Sequence, residues 1–177
     1  MKTDAGKQSL FFIGLSLLCL LCAALSAHAQ DKAADLKALS YLQYHQEAAK
    51  IDDKAHTVDL DRFLALRKQK NTVVLDLRTP AEYEHEHIEG AIPFGADISK
   101  EKLEKLIPSK DTTILLYCTD SLYPTRTIAL TTVSLPQFIL QGYPNTYKLA
   151  PIWQGKADWR DSEKEMSRLP MVKKGQP

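Results

Sequence analysis

The chain has 177 residues with 23 basic and 22 acidic side chains, a formal net charge of +1, and is sized for one domain with a hydrophobic core rather than two. Its charges are interspersed, which excludes a nucleic-acid binder built on a concentrated basic face. Five histidines and three cysteines occur, never together at the spacing of zinc or iron–sulfur ligands, so neither a metal nor a cofactor is expected.

At the N-terminus, Lys2 and Lys7 precede an apolar run over residues 10–25, followed by Ser26-Ala27-His28-Ala29. Basic start, apolar centre and small residues before a cut form the three-part layout of a secretory signal, with Gln30 as the first mature residue. An uncleaved anchor is the alternative, but the run is shorter than the roughly 20 residues of a spanning helix. A lipoprotein signal needs a small residue before its cysteine, whereas Leu18 and Leu21 precede Cys19 and Cys22. The expectation is export, to a periplasm or the exterior, with no membrane span after cleavage. Cys19 and Cys22 then leave with the signal and Cys118 remains alone. No internal disulfide is possible, and the thiol is buried and inert, paired with another molecule, or reactive.

Residues 31–51 carry Leu36, Leu39, Leu42 and Ala48 at helical spacing and predict an amphipathic helix that packs or docks. His56-Thr57-Val58 suits an edge strand, and Asp59 caps a helix with Leu60, Phe63, Leu64 and Leu66 on one face. Residues 72–77 form a compact apolar run, the pattern of a strand buried on both faces. Thr79-Pro80-Ala81-Glu82 then reads as a helix start, with Thr79 as cap, Pro80 in the first turn and Glu82 completing a capping box. Ile92 lies in a short strand, and Ser99 caps a helix stopped by Pro108.

The second strong apolar run, residues 113–118, ends on Cys118. A polar loop over 119–125 leads to a helix beginning near Arg126, which Pro136 should kink or split. Gly142-Tyr143-Pro144-Asn145 is a stop and turn, and residues 146–149 form the last predicted strand. Beyond Trp159 the chain reads as a loosely held polar tail. Strands alternating with helices imply one α/β domain with a mostly parallel sheet. The division is a signal over 1–29, a helical segment over 30–55, the domain over 56–160 and the tail over 161–177.

In parallel sheets, ligands bind beyond the carboxyl ends of the strands, and Cys118 stands at such an end. A following helix N-terminus and Arg126 would favour a thiolate there. The bland alternative, a small buried cysteine, weighs about equally on the local pattern.

The wider sequence resembles the rhodanese-like family. The resemblance is carried by Val74-Leu75-Asp76-Leu77-Arg78-Thr79-Pro80-Ala81-Glu82-Tyr83, by His87-Ile88-Glu89-Gly90-Ala91-Ile92, by Leu115-Leu116-Tyr117-Cys118, by Arg126, by Gly142 through Leu149, and by Ile152 through Trp159. It implies a parallel sheet flanked by helices and a sulfurtransferase that takes sulfane sulfur from a small donor as a persulfide on Cys118 and passes it to a thiol acceptor. It also implies that Cys118 and Arg126 are catalytic, and that the backbone of Thr119, Asp120, Ser121, Leu122, Tyr123 and Thr125 holds the substrate. Asp76, Arg78, Glu82 and His87 fall on positions that brace the fold and the rim. This chain departs from the family pattern in its loop: Arg126 stands eight positions after Cys118, farther than in the family's sulfurtransferases, Pro124 replaces a glycine, and Asp120 adds a negative charge. Two other readings therefore stand beside transfer: a binding module of this fold that meets a protein partner, and phosphatase-like chemistry at the enlarged loop.

Overall fold

The computed structural model describes residues 39–125, 128–156 and 158–175. Residues 1–38, which include the expected signal, and Arg126 lie outside the described residues. Ser40 opens the first helix, α1 (Tyr41–Ala48), by a reciprocal cap: its hydroxyl accepts from the Gln43 N–H while the Gln43 side chain accepts from the Ser40 N–H. One helix over 31–51 is thereby corrected. Ser40 is extended (φ −65°, ψ 158°), and a helix cannot run through that backbone; residues 31–38 lie outside the described residues.

The next elements follow the sequence reading. β1 (Thr57–Val58) leads to Asp59, whose carboxylate caps α2 (Leu60–Arg67) through the Arg62 N–H. β2 (Thr72–Asp76) is followed by α3 (Pro80–His85), where Thr79 and Glu82 exchange both bonds of a capping box. β3 (Glu86–Ile88), a strand the sequence did not signal, β4 (Ile92–Pro93), α4 (Lys100–Leu106, capped by Ser99) and β5 (Thr113–Tyr117) complete the first part.

After β5 three expectations are corrected. Residues 119–122 form a single helical turn, α5 (Thr119–Leu122), rather than open loop. The long helix α6 (Leu130–Leu140) begins at Leu130 instead of near Arg126, because Ala129 is extended (φ −57°, ψ 127°) and supplies the first helical acceptor, for the N–H groups of Thr132 and Val133. Pro136 lies inside α6 without splitting it. The ring removes only the N–H that would meet the Thr132 carbonyl, while burial of Leu135 and Phe138 on either side holds the helix to the core.

Gly142, at φ +88°, makes the left-handed stop before β6 (Thr146–Leu149). The expected loose tail is also corrected. α7 (Trp159–Met166) and β7 (Met171–Lys173) follow, β7 pairs antiparallel with β3, and Leu169 is buried. Its polar composition hid a short apolar set, Met166, Leu169 and Met171, that packs on the core.

The main sheet has the order β1-β6-β5-β2-β4, and every pairing in it is parallel. β5 is therefore central and pairs along its length with β2, Asp76 opposite Tyr117. Its side chains alternate between two cores. Leu115 and Tyr117 join Phe63, Val74 and Leu149 on one face, whereas Ile114, Leu116 and Cys118 join Leu75, Leu103 and Phe138 on the other. A strand buried on both faces needs this near-continuous apolar run. Among the described residues, no helix is long and apolar enough to cross a membrane.

Candidate functional site: a strand-end cysteine

Cys118 directly follows the central strand and acts as the extended N-cap residue of α5. Its N–H donates to Ser121 Oγ at 3.2 Å, and that hydroxyl donates onward to the Leu149 carbonyl at 3.3 Å. The sulfur lies 3.8 Å from Thr131 Oγ1 and 4.0 Å from Ser121 Oγ. It is 2% exposed and faces a cavity of about 350 Å³ bounded by Leu77, Pro80, Gly95, Thr119, Asp120 and Leu130 among others.

Two of the N–H groups of the expected cradle over 119–125 are used within the turn itself. Ser121 N–H donates to the Cys118 carbonyl and Tyr123 N–H to the Thr119 carbonyl, so the turn consumes both, and hydroxyls rather than those amides flank the sulfur. Thr119, Asp120 and Thr125 line the cavity, and the Thr125 hydroxyl donates to Asp120 Oδ1 at 2.7 Å. Ser121 and Leu122 lie beneath, buried. Tyr123 lines a neighbouring depression, where its hydroxyl donates to Glu86. Burial and that bond push the Tyr123 phenol up to about 12. Arg126 lies outside the described residues.

Under the cavity, the Asp76 carboxylate accepts from Arg78 through Nη2 at 2.7 Å, Nε at 3.0 Å and the backbone N–H at 2.9 Å. Tyr117 OH donates to the same carboxylate at 2.5 Å and accepts from the Ile88 N–H. Arg78 Nη2 also donates to the Glu86 carbonyl at 2.6 Å. Burial pulls against the Arg78 charge, and the hydrogen bond and attraction of Asp76 overcome it, so its pKa is raised. Burial, then the bond to Asp76, raises that of Tyr117.

Glu82 is the link the sequence could not show. Its Oε2 completes the α3 cap with Thr79, and its Oε1 accepts from Thr119 Oγ1 at 2.7 Å. A cap on one helix thus fixes the residue after Cys118. Burial acts to raise the Glu82 pKa, but the bonds from Thr119 and Thr79 outweigh it and the value is lowered. A lowered carboxylate pKa stabilises the fold above the ordinary value of 4.5 and loses that contribution as pH falls through the folded value. Glu82→Gln is therefore expected to unfold at lower denaturant than the parent at neutral pH, with the gap closing well below 4.5. A gap independent of pH would contradict this.

His87 is set apart from the cavity: Nδ1 bonds the Tyr83 carbonyl at 2.9 Å and its ring stacks on Tyr83 at 4.0 Å. Thr131 and Lys148 escaped the sequence reading. Thr131 is the second residue of α6, a helix predicted to start elsewhere. Lys148 is a buried cation held by Asp53 and Thr132, each at 2.8 Å, and nothing local in the sequence pairs it with either.

A parallel sheet whose central strand is followed directly by a cysteine at a cavity defines an α/β domain with a strand-end thiol. The sequence profile of the Rhodanese-like domain matches residues 59–150, and the chain belongs to the rhodanese-like domain family. A curated relative, the thiosulfate sulfurtransferase PspE of Escherichia coli (strain K12), is 36% identical over 44 residues, 25% of this chain and 42% of that protein; the match thus spans less than half of the relative's length. Among solved structures, the rhodanese-like domain of an Anabaena sp. protein is 13% identical, covers 67% of this chain and 79% of its own, and has a TM-score of 0.47. A rhodanese with anions from E. coli is 23% identical, covers 58% and 98%, and has a TM-score of 0.35.

Proposed function

We propose that this chain is an exported sulfurtransferase that carries sulfane sulfur as a persulfide on Cys118. The supporting observation is the placement of Cys118: central strand end, sulfur toward a cavity, hydroxyls of Ser121 and Thr131 on either side. Family membership and the partial match to a thiosulfate sulfurtransferase support the reaction type. The Cys118 thiolate attacks the outer sulfur of a donor, the Sγ–S bond forms, and the donor's own S–S bond breaks with its electron pair leaving on the departing group. An acceptor thiolate then takes the outer sulfur and returns Cys118 to the thiolate. Arg126 would close the loop, as the family resemblance implies. Export rests on the three-part layout of residues 1–29.

One experiment addresses both parts. The full chain, expressed in a bacterium and recovered from the exported fraction, is expected to start at Gln30 and to gain the mass of one sulfur atom after exposure to thiosulfate or an organic persulfide. An intact N-terminus retained in the cytosol would sink export. An unmodified thiol after thiosulfate, polysulfide and organic persulfide alike would sink transfer.

A second reading, a binding module with an idle thiol, draws on the burial of Cys118 and on the amides of Ser121 and Tyr123 being consumed within α5. It differs in requiring a protein partner whose binding survives Cys118→Ser. The phosphatase reading loses two of the N–H donors that a phosphate dianion would need, those of Ser121 and Tyr123.

A further inference from the structure

Resting on the sulfur-carrier reading, we infer that the Cys118 persulfide is matched to acceptor thiols bearing a positive charge, with Glu82 as the selecting residue. The Cys118 cavity and the neighbouring depression of about 440 Å³ share Arg78, Glu82 and Thr119, so the two adjoin along these residues. Asp120 lines the first part and Glu86 the second. The cation common to both is buried and engaged: Arg78 is 3% exposed at its side chain, forked onto Asp76 and bonded to the Glu86 carbonyl, while its charge also helps keep Glu82 ionised. Lys173 meets Glu86 at 3.9 Å but lines neither part. Among the described residues, which leave out Arg126, the two together present three carboxylates, one histidine (His85) and a guanidinium paired with Asp76.

Glu82 holds the decisive position. It borders both parts, its lowered pKa keeps it charged at neutral pH, and Thr119 ties it to the residue next to the sulfur. A carboxylate accepts at more sites than these bonds use, leaving capacity for an incoming ammonium. In the step itself, the acceptor thiolate attacks the outer sulfur of the protonated persulfide. A new S–S bond forms to the acceptor, the Sγ–S bond breaks, its electron pair stays on Sγ as the Cys118 thiolate, and the proton leaves with the product persulfide. Sulfur moves without an external oxidant or reductant. Charge on the acceptor away from its sulfur changes only how readily it enters.

The test loads the purified chain with sulfur, confirms Cys118 as the loaded site by peptide mass, and follows discharge by cysteamine, 2-mercaptoethanol and mercaptoacetate. Each rate is divided by that thiol's rate with free cysteine persulfide at the same pH, which removes intrinsic reactivity. The expected order is cationic, neutral, anionic, with about tenfold between the extremes at low salt, the scale of one solvent-screened attraction set against one screened repulsion. High salt should compress the spread, and Glu82→Gln, whose amide keeps the helix cap, should reduce it to about threefold. Equal or reversed rates, or an unaltered spread in Glu82→Gln, would overturn the inference while leaving transfer intact. Failure of Cys118 to load would overturn the sulfur-carrier reading itself.

Discussion

Cys118→Ser is expected to take up no sulfur at all from any donor that loads the parent protein. The chain starting at Gln30 has Cys118 as its one thiol, so the readout by intact mass is all or none. A serine hydroxyl is not deprotonated near neutral pH and is a poor nucleophile without an adjacent base. Ser121 and Thr131 are the hydroxyls beside it, and neither is such a base. The fold should survive, because the new hydroxyl has both of those oxygens near enough to bond after a small contraction. A cost of about 1 kcal/mol is expected, in line with one ordinary buried hydrogen bond. Sulfur uptake by the serine variant would mean that the chemistry lies elsewhere in the chain.

The second large effect concerns stability. Asp76→Ala should lower unfolding free energy by about 3–5 kcal/mol, the range for removing one partner of a buried ion pair, and denaturant titration measures it directly. Asp76 is fully buried, and Arg78 is its neighbour at 2.7 Å. Without the carboxylate, the guanidinium keeps the Glu86 carbonyl, the Tyr117 ring 5.3 Å from its carbon and the more distant charge of Glu82 among the described residues. Tyr117 OH loses its acceptor in the same change. Removing Arg78 as well should cost less than the two single losses added, since both act through one network. A loss below about 1 kcal/mol for Asp76→Ala, typical of a solvent-screened pair, would refute the account.

What could be read in the sequence was what local chemistry decides. The Thr79-Pro80-Glu82 start, the Asp59 and Ser99 caps and the two apolar strands each depend on neighbours within a few residues, and the fold kept them. The Asp76–Arg78 bracing also lies within one strand end. The contacts that shape the site are long-range. Glu82 meets Thr119, Cys118 meets Thr131, and Lys148 meets Asp53 only after the sheet brings their elements together. The start of α6 was misplaced because no side-chain cap marks it, and the last segment was misjudged because its few apolar residues are diluted by charge.

The alternation along β5 assigns the thiol by parity. Ile114, Leu116 and Cys118 share one face, and Leu115 and Tyr117 the other. Deleting or inserting one residue within the strand would exchange the sulfur for the Tyr117 phenol on the cavity side. Changes of length after Cys118 carry no such penalty. The loop to α6 can grow or shrink, altering the mouth of the cavity, while the sulfur stays where the strand puts it. The placement of the thiol and the shape of what surrounds it are thus free to vary separately.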